Sequence, residues 1–239
     1  RCRELFGEIY EQIPELPFCN IWTAMQLSSR LPKGALFHMG VSNTRRCWNM
    51  FQLPESVESA CNVGCCGIDG CVSTLVGASL VNPDRLCYVV VGDLTFFYDL
   101  NSLGNHHIGT NLRVMLVNNG RGTEFRLGIH HCNVFGDDAD KYMAAAGHFG
   151  NKSPLLVKHY AEDLGFHYLS ATTKEEFMTA LSNFTNPQLS DHSMILEVFT
   201  DSKDESEALY LMSHIQSDAK GMVRSKLNCL LYTSPSPRD

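Results

Sequence analysis

Short apolar runs alternate with stretches of helical periodicity along most of the chain, and this alternation limits the folds that it can adopt. The apolar runs have the length of β-strands, and those at 86–92 and 112–117 contain β-branched residues and are bounded by turn residues. Strands are predicted at 34–40, 86–92, 112–117, 166–170 and 194–199, with helices at about 20–31, 69–80, 95–105, 154–164 and 173–184. Strands separated by helices are joined by right-handed crossovers. The pattern therefore predicts an α/β fold, a mainly parallel sheet with helices on both faces.

The composition excludes several classes of protein. The 239 residues include 19 Lys and Arg and 26 Asp and Glu, which gives a formal net charge of −7. This charge, without any basic run, argues against a nucleic-acid binder, because such proteins replace phosphate counterions with cationic side chains. No apolar stretch reaches the roughly 18 residues that a membrane span needs. We therefore expect a cytoplasmic globular protein that binds neither nucleic acid nor membrane.

The two ends of the chain differ from its middle. The sequence begins with Arg1 rather than Met, so we expect it to be a fragment of a longer protein. Residues 1–17 are expected to end a preceding domain or linker, residues 18–216 to form one domain, and residues 217–239 to form a tail. The segment 231–239 has two prolines and no periodicity, which favours a non-native origin.

Ten cysteines are scattered along the chain, apart from one cluster formed by Cys61, Cys65, Cys66 and Cys71. A core of this size needs no disulfide bonds, so reduced thiols are expected. Two interpretations of the cluster stay open. Its members are either small packing residues or zinc ligands, although the cluster lacks the paired Cys-x-x-Cys spacing of most zinc sites.

Polar residues stand where two of the predicted strands end. Gly92 and Asp93 end one strand, and Asn119 follows the next within a glycine-rich turn. Neighbouring parallel strands end at the same edge of a sheet, where ligands bind in such folds. A carboxylate, an amide oxygen and a turn carbonyl suit Mg²⁺, and the N-terminus of the helix after Asp93 favours phosphate groups. The sequence therefore predicts a site for a magnesium-bound phosphate ligand at this edge.

Three sequence blocks, in this order, resemble the enzymes that depend on thiamine diphosphate (ThDP). They are NVGCCGIDG at 62–70, GDLTFFYDLN at 92–101 and VNNGRG at 117–122. The last two resemble the diphosphate-binding motif of these enzymes, which opens with Gly-Asp and closes with Asn-Asn. Within them, the three blocks are most similar to the 2-succinyl-5-enolpyruvyl-6-hydroxy-3-cyclohexene-1-carboxylate synthases of menaquinone biosynthesis. The resemblance extends from about residue 18 to 215 and implies the ThDP diphosphate-binding domain.

The resemblance implies roles for individual residues. Mg²⁺ is expected to be held by Asp93, by Asn119 and by the backbone carbonyl of Arg121, where family members usually have Gly. Ile68 matches the apolar residue that supports the bent cofactor. The remaining matches are to the cofactor and substrate sites, with Gly40, Ser42, Gly92, Asp93, Leu94, Thr95 and Asn119 expected at the cofactor and Ser42, Arg46, Glu124 and Phe125 expected at the substrate.

Two positions depart from the pattern of the synthases. Val63 stands where they have an arginine that binds substrate, and Glu124 stands where they have an apolar residue. A valine cannot replace the two parallel hydrogen bonds that a guanidinium donates to a carboxylate. The departures favour a relative that uses a different 2-oxo acid or acceptor.

The resemblance implies a ThDP- and Mg²⁺-dependent decarboxylase or carboligase, a transferase or lyase that removes CO₂ from 2-oxoglutarate and adds the remainder to isochorismate. The activating glutamate of such enzymes lies in a pyrimidine-binding domain that no part of this chain matches, so the fragment alone is expected to be inactive. The family also implies a homodimer or homotetramer. Two alternatives stay open: a related enzyme with another 2-oxo acid or acceptor, and a non-catalytic ThDP-binding subunit.

Overall fold

A six-stranded parallel sheet forms the centre of the fold. The computed structural model describes residues 7, 9–64, 67–127, 130–142 and 153–215. The strands are β1 (Leu36–Met39), β2 (Glu58–Cys61), β3 (Cys87–Gly92), β4 (Leu112–Asn118), β5 (His167–Ala171) and β6 (Met194–Phe199). Their order across the sheet is β2-β1-β3-β4-β6-β5, and every neighbouring pair is parallel. The predicted fold class is confirmed.

Helices connect the strands and cover the sheet. In chain order they are α1 (Asn20–Leu27), α2 (Asn43–Trp48), α3 (Cys71–Val81), α4 (Asp93–Asp99), α5 (Ala139–Tyr142), α6 (Leu156–Asp163), α7 (Lys174–Phe184) and α8 (Ser202–Ser213). Short 3₁₀ segments follow α1 and α4 at Ser28–Arg30 and Leu100–Gly104, and two more, Thr123–Arg126 and His131–Asp138, follow β4. None of the helices in the described part of the chain is long and apolar enough to cross a bilayer.

The strands place alternate side chains into two separate cores, because successive residues of a strand point to opposite faces. On β3, Tyr88 and Val90 pack with residues of α1, α2, α7 and α8. Val89 and Val91 pack on the other face with α3, α4 and α6. Both faces of β3 and β4 are therefore buried, which explains why their sequences are continuous apolar runs.

Four helices and strands were not predicted: β2, α2, α5 and α8. β2 has the sequence ESAC at the edge of the sheet, and three of its four residues are exposed, so no apolar run marks it. α2 has only six residues, and its N-cap is Ser42, whose φ is 59°. The first part of α8 is strongly charged, SKDESE, and it buries Glu205 rather than only apolar residues.

Capping interactions fix where the helices next to the sheet begin. The N-cap of α3 is Gly70, with φ of +81°, and the N–H of Ser73 in its first turn donates to Asp99 Oδ2 at 2.7 Å. Asp99 ends α4, so one carboxylate joins the start of α3 to the end of α4.

The proposed boundary after residue 216 and the tail at 217–239 lie outside the described residues, as do Cys65 and Cys66.

Candidate functional site

A cavity of about 160 Å³ lies at the carboxyl ends of β1, β3 and β4, which are neighbours in the sheet. Its walls come from the segment after β1, the start of α4 and the turn after β4. The lining residues are Asn20, Val41, Ser42, Asn43, Thr44, Ile68, Gly92, Asp93, Leu94, Thr95, Val117, Asn119, Arg121, Gly122, Thr123 and Glu124. The cavity therefore occupies the edge at which parallel sheets bind ligands.

Asp93 carries the buried carboxylate of this cavity. In the register of the sheet Gly92 on β3 stands opposite Val117 on β4, so Asp93 and Asn119 follow directly from paired strand ends. Asp93 is 3% exposed, and its Oδ1 accepts a hydrogen bond from the N–H of Leu94 at 2.8 Å. Since Asp93 is also the first residue of α4, the first N–H groups of that helix belong to the same wall.

The turn after β4 supplies oxygen atoms to the same cavity. Asn119 Oδ1 accepts from the N–H of Arg121 at 3.3 Å, and Gly120 between them has φ of +80°. This left-handed conformation is easily reached by glycine and lets the chain reverse at once after the strand. Asn119 and Arg121 both line the cavity, as the proposed metal site requires.

The segment after β1 forms the facing wall. A Cβ atom on Gly40 would lie 3.2 Å from the Val90 carbonyl oxygen and 3.3 Å from Val91 Cα, so a glycine lets β1 and β3 approach closely. Gly40 itself is not among the lining residues, although Val41 and Ser42 are. Ser42 has φ of 59° and ψ of −123°, a strained conformation for any residue with a side chain. Such strain is often found at functional sites.

Arg46 on α2 and Glu124 after β4 form an ion pair beside the cavity. Arg46 Nη1 donates to Glu124 Oε2 at 2.7 Å, and Nη2 donates to Oε1 at 2.9 Å. The side chains are 34% and 22% exposed, and hydrogen bonding to Glu124 raises the pKa of Arg46 above its usual value. Both residues were predicted to face substrate, but the structure directs them at each other.

Asn20 is a lining residue that was not predicted. Its N–H donates to Glu205 Oε1 at 3.0 Å, and its Oδ1 accepts from Trp48 Nε1 at 3.0 Å. Glu205 is completely buried, and burial raises the pKa of its carboxyl group to about 7. Asn20 precedes no motif in the sequence, and its partners lie on α2 and α8, so local patterns gave no signal for it.

The donor set fits a magnesium-bound diphosphate. A buried carboxylate, an amide oxygen and a turn carbonyl are hard oxygen donors, and Mg²⁺ usually takes its other ligands from phosphate and water. Thr123 also lines the cavity, is 4% exposed, and its hydroxyl has no hydrogen-bond partner among the described residues. A buried hydroxyl of this kind could bond to a polar ligand or to a water molecule in the cavity.

The structure thus brings most of the predicted site residues to one cavity. These are Ser42, Ile68, Gly92, Asp93, Leu94, Thr95, Asn119, Arg121 and Glu124. Gly40 lies behind the wall, and Arg46 contacts it through Glu124. Phe125 follows Glu124 in the 3₁₀ segment Thr123–Arg126, and its side chain lies outside the described part of the structure.

Two other features bear on the alternatives. A larger cavity, of about 510 Å³, is lined by Tyr10, Met25, Phe51, Met212 and their neighbours. Among the described residues, no charged side chain lines it. Of the cysteine cluster, Cys71 is buried in an apolar core, and among the described residues no group of three or more His, Cys, Asp or Glu could hold a metal.

Curated relatives match most of the chain, whereas no model of a protein family matches it. Three of these relatives, among others, bear the name 2-succinyl-5-enolpyruvyl-6-hydroxy-3-cyclohexene-1-carboxylate synthase. Those of Bacteroides fragilis and Phocaeicola vulgatus are 34% identical over 196 and 200 residues, which is 82% of this chain and 34% of each relative. That of Christiangramia forsetii is 33% identical over 199 residues, 83% of this chain and 33% of the relative. The chain spans about a third of the length of these relatives. It is therefore homologous to that third of the 2-succinyl-5-enolpyruvyl-6-hydroxy-3-cyclohexene-1-carboxylate synthases, the enzyme family that its motifs indicated.

Proposed function

We propose that this chain is the diphosphate-binding part of a ThDP- and Mg²⁺-dependent 2-oxo acid decarboxylase or carboligase. The observation that carries the proposal is the common cavity of Asp93, Asn119 and Arg121 at paired strand ends. When bound, ThDP supplies the electron sink that allows a 2-oxo acid to lose CO₂ and its remaining acyl group to be transferred. The reaction to test first is the one that the family implies, with 2-oxoglutarate as donor and isochorismate as acceptor.

The residues of the chain would bind and orient the cofactor. Asp93, Asn119 and the Arg121 carbonyl would hold Mg²⁺, and the first N–H groups of α4 would face the diphosphate. Gly92 leaves room for phosphate, since no atom lies within 4 Å of a Cβ built on it. Ile68 lines the same cavity and would pack against the cofactor, as its match in the family implies.

The chain would supply half of a complete site. The activating glutamate is expected in a pyrimidine-binding domain, which in this family faces the diphosphate-binding domain of another subunit. The proposal therefore includes a homodimer or homotetramer and an inactive isolated fragment. The chain's match to a third of each relative supports this division of the site.

A related reaction, with another 2-oxo acid or acceptor, is the second candidate. Val63 supports it, because this residue replaces the arginine of the synthases and its 41% exposed side chain offers no positive charge. Glu124 supports it also, because it adds a carboxylate to the cavity wall.

The test uses the full-length protein and the variant Asp93→Ala. Calorimetry should show ThDP binding that requires Mg²⁺. Asp93→Ala should weaken this binding by more than about tenfold, because the variant loses the contact between the Asp93 carboxylate and the ion, and a bond to a charged group is worth at least ~1.4 kcal/mol. Asp84→Ala is the matched control, because it removes the same charge from the turn before β3, at the opposite end of the strand. CO₂ release from 2-oxoglutarate and from pyruvate then separates the two candidates. Equal ThDP affinity in Asp93→Ala and wild type would refute the metal site.

A further inference from the structure

Glu197 is a carboxylate buried within the sheet. It lies on β6, is 1% exposed, and shares its face of the strand with Ile195, which packs in the apolar core. Its Oε1 accepts a hydrogen bond from Asn118 Nδ2 at 2.7 Å, and its Oε2 accepts one from the Tyr168 hydroxyl at 2.7 Å. Each oxygen of this buried carboxylate therefore has a partner within the protein.

These hydrogen bonds cross three neighbouring strands, β5, β6 and β4. In the register of the sheet, Glu197 stands opposite Leu116 on β4 and opposite Ser170 on β5. Asn118 follows Leu116 by two residues and Tyr168 precedes Ser170 by two, so both side chains reach Glu197 diagonally on one face. The network therefore extends from the interior of the sheet to the last residue of β4.

The network fixes both the side chain and the backbone of Asn118, which is 6% exposed. A carboxylate accepts hydrogen bonds and donates none when ionised, so Glu197 binds the NH₂ group of the amide and repels its oxygen. The backbone carbonyl of Asn118 accepts from the N–H of Thr200, the residue after β6, at 3.2 Å. Asn118 is therefore held in one orientation at the point where the turn begins.

Asn119, the next residue, lines two cavities. One is the candidate site, and the other, of about 230 Å³, is also lined by Asn118, Gly120 and Thr200. Side chains that border a cavity lack packing contacts on that side. The bond from the Arg121 N–H to Asn119 Oδ1, at 3.3 Å, stays within the turn. The position of Asn119 therefore depends strongly on how Asn118 is held.

We propose that Glu197 is a positioning residue of the candidate site: it holds Asn118 in one orientation, and so keeps Asn119 where its amide oxygen can bind Mg²⁺. The inference rests on the proposed function and adds a residue that touches neither cofactor nor substrate. It also explains why a carboxylate stands on a mostly apolar face of the sheet. An apolar side chain would fill this position without the cost of burying a polar group, but it could not orient Asn118.

The experiment compares full-length wild type, Glu197→Leu, Glu197→Gln and Tyr88→Phe. Leucine removes the acceptor. Glutamine is the conservative replacement, because its amide oxygen can accept from Asn118 while its NH₂ group donates to the oxygen of Tyr168. Tyr88→Phe is the matched control: it removes another buried hydrogen bond, 3.0 Å long, which Tyr88 donates to the Phe184 carbonyl on the other face of the sheet.

Two measurements are made on each protein. Hydrogen–deuterium exchange reports on the turn 119–122 without cofactor, and calorimetry measures ThDP binding in the presence of Mg²⁺. Glu197→Leu should speed exchange in the turn and weaken ThDP binding, each about tenfold, because a lost bond to a charged group lowers the fraction of molecules in the binding orientation by about that factor. Glu197→Gln and Tyr88→Phe should stay within about twofold of wild type in both measurements. Asn118→Ala breaks the same bond from its other end and should reproduce both changes, even if Glu197→Leu does not fold.

Other results would overturn the inference. It is wrong if Glu197→Leu and Asn118→Ala keep the wild-type exchange and ThDP affinity, or if exchange rises while the affinity stays the same. It is also wrong if Tyr88→Phe weakens binding as much as Glu197→Leu, since the loss would then follow overall stability. The proposed function is judged separately: absence of ThDP binding in wild type refutes that function, whereas exchange without cofactor still shows whether Glu197 holds the turn.

Discussion

Glu205 should make the stability of this chain depend on pH in an unusual direction. Its side chain is completely buried at the start of α8, where Oε1 accepts from the Asn20 N–H at 3.0 Å and from Thr200 Oγ1 at 2.7 Å. Oε2 has no hydrogen-bond partner among the described residues. Burial raises the pKa of this carboxyl group from 4.5 to about 7, and the two hydrogen bonds only partly oppose the increase.

The direction of the effect follows from proton binding. Between pH 4.5 and 7 the folded chain keeps a proton on Glu205 that the unfolded chain has released. The free energy of unfolding therefore falls as the pH rises through this window, and the full stabilisation is present only below it. At about 1.4 kcal/mol per pH unit, the loss amounts to about 3 kcal/mol above pH 7.

The substitution Glu205→Gln isolates this contribution, because an amide is uncharged at every pH and its oxygen can still accept from Asn20 and Thr200. Denaturant unfolding, followed by the fluorescence of Trp22 and Trp48, gives the free energy of unfolding of both proteins at pH 5, 6, 7 and 8. From pH 5 to 8 the variant should gain about 2.5 kcal/mol relative to wild type, since the other carboxylates are common to both.

Glu207→Gln is the matched control, because Glu207 lies on the exposed side of the same helix. Its difference from wild type should stay constant to within about 0.5 kcal/mol, as is usual for a surface substitution. If the difference between Glu205→Gln and wild type were equally constant, the Glu205 carboxyl would not be destabilised by burial, and the reasoning would fail.

Three further substitutions test the framework of the site. Ser42→Gly should raise the free energy of unfolding by about 1 kcal/mol in denaturant unfolding, because glycine adopts φ of 59° without steric strain; a loss of stability would contradict the strain. Asp99→Ala should lower it by about 1 kcal/mol, since the N–H of Ser73 loses its acceptor, and an unchanged midpoint would argue against this cap. Phe37→Ala should cost about 3–5 kcal/mol by the same measurement, because Phe37 is 2% exposed and packs 5.1 Å from the Trp48 ring; a cost below 1 kcal/mol would mean that the core collapses around the gap.

The sequence was most informative at the ends of β3 and β4, where polar residues follow buried apolar strands. β3 and β4 are buried on both faces, so their apolar runs were visible, and the polar residues after them stand out against those runs. Asp93 and Asn119 could therefore be assigned to one edge before any coordinates were known. The prediction of neighbouring strand ends is confirmed by the pairing of Gly92 with Val117.

What the sequence did not reveal depends on contacts between distant segments. Arg46 and Glu124 lie 78 positions apart. The resemblance assigned each of them to the substrate, and neither segment of the sequence indicates that the two side chains bind each other. Asn20 and Glu205 are separated by 185 positions, and a glutamate near the start of a helix ordinarily suggests a solvated charge beside the helix dipole. β2 was missed for another reason: an exposed edge strand of four residues has too few apolar side chains to be recognised as a strand in the sequence.

The end of β4 separates residues that hold the sheet together from residues that line the candidate site. The last residue in the hydrogen-bonded ladder is Asn118, whereas Asn119, Arg121 and Glu124 all follow it. Substitutions at these three positions break no strand pairing and remove nothing from the two cores, so they should change the lining of the candidate site at a small cost in folding stability. A protein built in this way can change the lining of the candidate site by a few replacements in one turn, while the sheet that positions Asp93 stays as it is.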